Sequence, residues 1–237
     1  MSYLNTKPLV YGFEQGEMKD EIELVFDYPA NVAGMLLNDT IDIGLVPVAM
    51  IPSLKESHII SDYCIGASGP VASVCLFSEV PLKEITHILV DYQSRTSAAL
   101  LQILLKKYWH IDPVLVNTNI GYQKNIKGTT AGLVIGDRAL KQRQHSTYIY
   151  DLASAWIDMT GLPFVFAAWV ANKKLPETFC TKFNKTTALG FNHLDEIVSA
   201  VNFPEYEMKE YYTRNIDYKL DNDKKQALQL FLRYLSE

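Results

Sequence analysis

Short apolar runs alternate along the chain with amphipathic segments whose apolar residues recur at helical spacing. The runs predict strands over 22–26, 41–46, 59–64, 71–77, 85–90, 114–117, 131–135, 148–150 and 164–170. The amphipathic segments predict helices over 31–37, 96–109, 137–141, 151–160, 194–201, 205–214 and 221–235. This alternation points to an α/β protein with a mainly parallel sheet.

No repeat, low-complexity tract or Gly/Ser linker interrupts the pattern. Two domains would therefore be joined by ordered strands, and the extended apolar runs 71–81 and 164–172 are the best candidates. Two such crossings predict a discontinuous first lobe, 1–80 with 165–237, and an inserted second lobe, 81–164. A cleft between lobes is a natural place for a ligand.

The 237 residues suit one large domain or two small ones. With 48% hydrophobic and 21% charged residues, a packed core is expected and long disorder is not. The net charge of −5 and the lack of a basic block argue against a nucleic-acid partner. Cys64, Cys75 and Cys180 are odd in number and widely spaced. They fit buried free thiols in a reducing cytosol better than a disulfide framework or a zinc site. The first residues lack a signal-peptide layout, and no run of apolar residues is long enough to span a membrane. A cytoplasmic location without a membrane partner is the expectation.

Candidate chemistry sits in turns. The predicted strand at Ile88-Leu89-Val90 runs into Asp91-Tyr92-Gln93-Ser94-Arg95-Thr96-Ser97, which opens a helix. Helix N-termini present free N–H groups and a dipole that favours anions. The hydroxyls of Ser94, Thr96 and Ser97 and the charge of Arg95 suit a carboxylate, although the same residues also read as a plain N-cap. The stretch from Gly66 through Gly69 and Pro70 to Ser73 forces an unusual backbone that either exposes N–H groups to a ligand or is merely a tight connection. After Val134-Ile135, Gly136 and Asp137 stand at a strand's C-terminal end, where α/β proteins bind ligands, and equally where an N-cap would stand. Gly161 and Pro163 are accounted for by a helix stop. Near the start, Asn5 or Thr6 can cap a helix with Pro8 in its first turn, and Asn5 offers a ligand both a donor and an acceptor.

The five histidines (58, 87, 110, 145 and 193) lie outside these turns, and no zinc-protease, CxxC, G-x-S-x-G or Walker motif is present. Neither a metal nor a cofactor is expected. Any chemistry must rest on positioning and hydrogen bonding more than on a strong base.

Six stretches, in this order, resemble the chorismate dehydratase family, which opens the futalosine route to menaquinone. They are SYLNTKPL at 2–9, IDIGLVPVA at 41–49, SGPVASVCLFSEVPL at 68–82, SRTSAALL at 94–101, LVIGDRAL at 133–140 and DLASAWIDMTGLPFVFAAW at 151–169. Any one is weak; six in sequence are specific. The resemblance implies a type II periplasmic-binding-protein-like fold, two lobes joined by two crossover strands. It also implies a lyase that removes water from chorismate to give 3-[(1-carboxyvinyl)oxy]benzoate. The substrate is a small dicarboxylate, and the protein would act as a monomer or homodimer.

Position by position, the resemblance implies catalytic roles for Asn5, against the reacting ring or leaving hydroxyl, and for Ser73 beside it. Ser94, Thr96 and Ser97 would cradle a carboxylate. Thr6, Arg95, Gly69, Gly136 and Asp137 would complete the substrate site. No residue is an obvious base, so the enolpyruvyl carboxylate of the substrate is expected to take the proton itself. The family pattern has an apolar strand before SYLNTKPL, whereas this sequence starts one residue before it. The expectation is a first lobe frayed at that point and activity below that of an N-terminally extended form. The rivals are a non-catalytic solute-binding protein of the same fold and, third, the naphthoate synthase of the same pathway.

Overall fold

The computed structural model describes residues 3–237. A 3-10 turn, Leu4–Thr6, leads into α1 (Lys7–Glu14), with Pro8 in its first turn. Then come α2 (Pro29–Leu37), β1 (Ile43–Pro47), β2 (His58–Ala67), β3 (Val74–Ser78), β4 (His87–Val90) and α3 (Arg95–Leu104). The middle continues with β5 (Val114–Asn117), β6 (Thr130–Ile135), α4 (Asp137–Gln142), β7 (Tyr148–Asp151), α5 (Leu152–Thr160) and β8 (Phe164–Ala171). The last third holds α6 (Glu177–Asn192), α7 (Leu194–Ser199), α8 (Met208–Glu210), β9 (Asp217–Lys219) and α9 (Asn222–Leu235).

The strands form two sheets, one of order β1-β8-β2-β9 and one of order β5-β4-β6-β3-β7. The expected mainly parallel sheet is not what forms. Every pairing of the first sheet is antiparallel. In the second, β4 pairs in parallel with β5 and β6, while β3 runs antiparallel to β6 and β7. The strands that enter and leave each sheet at the crossings reverse direction, which apolar periodicity does not encode. The chain passes between sheets at 68–73, after β2, and again at 161–163, before β8. The first of these moves β3 into the second sheet, whereas a boundary near residue 80 would leave it with the first lobe.

Three segments depart from the predicted elements. Residues 22–26 alternate like a strand but lie as unpaired coil. They line a cavity of about 590 Å³ whose opposite wall includes Ile43 and Leu45 of β1, the edge strand of its sheet. A strand needs a hydrogen-bonding neighbour, and the cavity stands between the two. The longest helix, α6, was not predicted, because its sequence ETFCTKFNKTTALGFN is rich in Thr, Asn and Phe, which are weak helix formers. Packing overrides that preference: Phe183, Thr186, Thr187 and Gly190 are buried. The short β9 also went unpredicted, being three residues long.

Buried aromatic rings close the fold at its C-terminal end. Trp156 of α5 meets Phe164 of β8 edge-on at 5.2 Å between centroids, and Phe231 of α9 lies 5.1 Å from Phe164. No described helix is long and apolar enough to cross a membrane.

Candidate active site at the seam between the sheets

The turn between β2 and β3 is set by one carboxylate. Asp151, at the junction of β7 and α5, caps α5 by accepting from the N–H groups of Ala153 (3.0 Å) and Ser154 (3.1 Å). The same carboxylate accepts from the N–H groups of Val71 (3.2 Å) and Ala72 (2.8 Å). Held in this way, Ala72 takes φ +61°, and the Ser73 N–H donates to the Val71 carbonyl at 2.7 Å across a γ-turn. Burial pushes the Asp151 carboxyl above its ordinary value, partly offset by these N–H donors.

Ser73 is thereby fixed and buried. Its carbonyl accepts from the Gly136 N–H at 2.7 Å, and its hydroxyl accepts from the Tyr211 hydroxyl at 2.8 Å. Gly136 lies at φ +63°, ψ −147°, a region essentially confined to glycine. A Cβ there would sit 2.5 Å from the ring of Tyr3. The next residue, Asp137, accepts from the Leu4 N–H at 3.1 Å, and burial raises its carboxyl above the ordinary aspartate value. The N-terminal segment is thus seated on the C-terminal end of β6. Asn5 lies in this seat. Its carbonyl accepts from the Tyr218 hydroxyl at 2.9 Å, while its Oδ1 is buried without a partner among the described residues.

The turn after β4 joins the same seam. Asp91, wholly buried, accepts from the Tyr122 hydroxyl (2.7 Å) and the N–H groups of Gln93 (2.9 Å) and Ile135 (3.3 Å). It also pairs with Arg138 at 3.0 Å. Arg138 Nη2 donates to Gln93 Oε1 at 2.8 Å, and the Tyr3 hydroxyl donates to the same oxygen. Burial lifts the Tyr3 hydroxyl to about 12 against the opposing charge of Arg138.

The predicted site residues divide along this seam. Asn5, Ser73, Gly136 and Asp137 come together, and the Ser94 turn reaches them through Gln93 and Arg138. Of the hydroxyls in that turn, only Ser94's gives its own proton to a partner, while those of Thr96 and Ser97 accept. Ser94 Oγ accepts from the Ser97 N–H at 3.1 Å and donates to Ser97 Oγ at 2.8 Å, so it acts as the N-cap of α3. Thr96 Oγ1 accepts from the Ala49 N–H at 3.1 Å, tying the second sheet's helix to the first sheet's side. Arg95 points to solvent. Thr6 gives its hydroxyl to the Tyr3 carbonyl at 2.8 Å and lines the apolar cavity beside β1. Gly69 lines a separate shallow hollow with Ser68, Tyr212 and Asp217.

Sequence reasoning missed Tyr3, Asp91, Gln93, Arg138, Asp151 and Tyr211 as site-forming residues. Five of them stand within the stretches quoted for Ser2–Leu9, Asp91–Ser97, 133–140 and 151–169. An acid directly at the end of an apolar strand, as in Asp91, was the available signal. No cluster of three or more His, Cys, Asp or Glu suited to a metal occurs among the described residues.

A family model described as menaquinone biosynthesis matches residues 1–237. A chorismate dehydratase from Thermus thermophilus is 26% identical over 192 residues, covering 73% of this chain and 70% of that protein. A chorismate dehydratase from Campylobacter jejuni is 29% identical over 154 residues, covering 54% of this chain and 69% of that protein. Among solved structures, a protein from Archaeoglobus fulgidus superposes with a TM-score of 0.74 at 13% identity, covering 99% of this chain and 94% of the other. The periplasmic aliphatic sulphonate binding protein of Escherichia coli gives 0.62 at 14% identity, covering 98% and 82%. These likenesses establish the two-lobed, type II binding-protein-like fold.

Proposed function

The chain belongs to the menaquinone-biosynthesis family, and from that premise we propose that it is a chorismate dehydratase. The reaction removes the proton on the ring carbon bearing the enolpyruvyl ether and the hydroxyl on the neighbouring carbon. One C–H and one C–O bond break, water leaves, and the ring becomes aromatic in 3-[(1-carboxyvinyl)oxy]benzoate. Aromatisation makes the elimination strongly downhill, so the protein's task is to hold a dianion and align its leaving groups.

The observation that carries this reading is the convergence of Asn5, Ser73 and Gly136–Asp137, each from a different part of the sequence, on one seam. Asn5 Oδ1 has no partner among the described residues and is suited to accept a hydrogen bond from the substrate hydroxyl and so orient it. Ser73, oriented by Tyr211 and the γ-turn, is the second catalytic residue in this reading. Burial raises both the Tyr211 hydroxyl and the Asp137 carboxyl above their ordinary values. The proton acceptor is the substrate's enolpyruvyl carboxylate, and the departing hydroxyl takes up one proton to leave as water. The protein acts in the cytoplasm on a small dicarboxylate, as a monomer or homodimer.

Incubation with chorismate, read by mass spectrometry, should show loss of one water with an aromatic product spectrum. Unchanged chorismate accompanied by a rise in Tm would instead identify a solute binder. A chorismate analogue lacking the enolpyruvyl carboxylate should bind without reacting; its normal turnover would refute the substrate-assisted step.

A further inference from the structure

A dianion needs a cation as well as neutral donors, and in the Ser94 turn the Ser94 proton is already given to Ser97 while Thr96 and Ser97 offer neutral hydroxyls alone. Three arginines stand near the seam. Arg95 is solvent-exposed. Arg143 is engaged with the Ala72 carbonyl at 3.3 Å. Arg138 differs from both. Its Nη2 serves Asp91 (3.0 Å), Gln93 (2.8 Å) and the Tyr3 hydroxyl (3.4 Å), whereas its Nη1 is buried with no partner among the described residues. Buried polar groups are almost always paired, and a guanidinium N–H left without an acceptor calls for a guest.

The guanidinium is also held for such a guest. Asp91 fixes it from below, and that carboxylate has three other donors of its own, in Tyr122, Gln93 and Ile135. The Tyr92 ring lies 5.3 Å from its Cζ. Arg138 follows directly on Gly136 and Asp137, which carry the seat of the N-terminal segment. Above it, the Tyr3 ring covers Gly136 and the Tyr3 hydroxyl occupies an acceptor position on the same guanidinium.

We propose that Arg138 is a substrate-binding, specificity-determining residue whose free Nη1 receives one carboxylate of the substrate as the Tyr3 side chain turns off Gly136. This rests on the dehydratase reading and deepens it. Arg138 selects for a dianion, and Asp91 positions it. Asp91 and Tyr3 are the acidic groups that face it, so a guest carboxylate would share the guanidinium with Asp91.

The test compares chorismate with its two monomethyl esters, one at each carboxylate. The native protein should prefer chorismate to both esters. Arg138→Lys keeps a cation for Asp91 but removes the second amino group. It should lose roughly tenfold or more of the preference for chorismate over one ester, with the other preference retained. The effect should fall mainly on KM. A merely structural role would lower activity on all three compounds together and leave both ratios unchanged, which overturns the proposal. Because Arg138→Lys could disturb folding, the double variant Asp91→Asn, Arg138→Gln removes both charges and leaves no unpaired ion buried. It should show the same selective loss, and unaltered ester ratios would again count against Arg138. If the native protein leaves chorismate intact, the dehydratase reading falls and this inference with it. If it turns chorismate over but the ratios never move, only the role of Arg138 falls.

Discussion

At the residue scale, the position of Ser73 depends on Ala72 remaining at φ +61°. A non-glycine residue in that region is held there by its surroundings, here by the Asp151 carboxylate on the Val71 and Ala72 N–H groups. Asp151→Asn leaves one acceptor oxygen and turns an N–H₂ toward a donor. We expect a stability loss of about 1–3 kcal/mol at pH 7, measured by urea unfolding. Activity should fall further than stability alone accounts for, because Ser73 loses its turn. The pH dependence has a definite sign. A buried acid raised above its ordinary 3.8 binds its proton more tightly in the folded state. The protonation-linked part of its contribution is therefore fullest below 3.8 and is lost as pH rises through the higher folded value, while the bonds from the N–H groups remain. The variant's Tm should vary less with pH over that window than the native protein's. The capping role of Asp151 could be read in the sequence as a helix start at 151. Its second role could not, because the clamp on Val71 and Ala72 spans about 80 residues of chain. Arg138 was hidden for the same reason: its partners Asp91, Gln93 and Tyr3 come from separate segments.

At the element scale, α1 and α6 meet backbone to backbone. A Cβ on Gly12 would lie 2.2 Å from the Thr186 carbonyl oxygen, and one on Gly190 would lie 1.9 Å from that of Pro8. Neither position has room for a methyl group, and the obstructing atoms are backbone, so the helices themselves would have to separate. Gly190→Ala should cost about 1–3 kcal/mol by thermal or chemical unfolding. Because α1 begins immediately after Leu4–Thr6, the same substitution should displace Asn5 and lower kcat. Control substitution at Gly34, where nothing lies within 4 Å, should leave both quantities nearly unchanged. The elements that were legible, such as β5 at 114–117 and α5 from 152, carry clean apolar patterns. Helix α6 was obscured because its composition disfavours a helix and only the contact with α1 rewards one. Segment 22–26 shows the converse, a strand-like pattern with no neighbour to pair with.

At the scale of the whole molecule, the two sheets are tied across the seam at points far apart in the chain: Leu4 to Asp137, Thr96 to Ala49, and Tyr211 to Ser73. The sequence motifs marked most of these places, but not the hydrogen bonds that join them. The hollow beside β1 has a practical consequence of its own. It is walled by Phe13, Leu24, Ile43, Leu45, Phe179 and Trp169, whose indole N–H has no acceptor among the described residues. A naphthalene-sulphonate dye of the kind that reports molten states should therefore light up with the fully native protein and quench Trp169. A dye titration at room temperature that leaves emission at the buffer level would contradict this. Melting curves recorded with such dyes would start bright and fall on heating, inverting the usual trace, so circular dichroism is the safer gauge of unfolding for this fold.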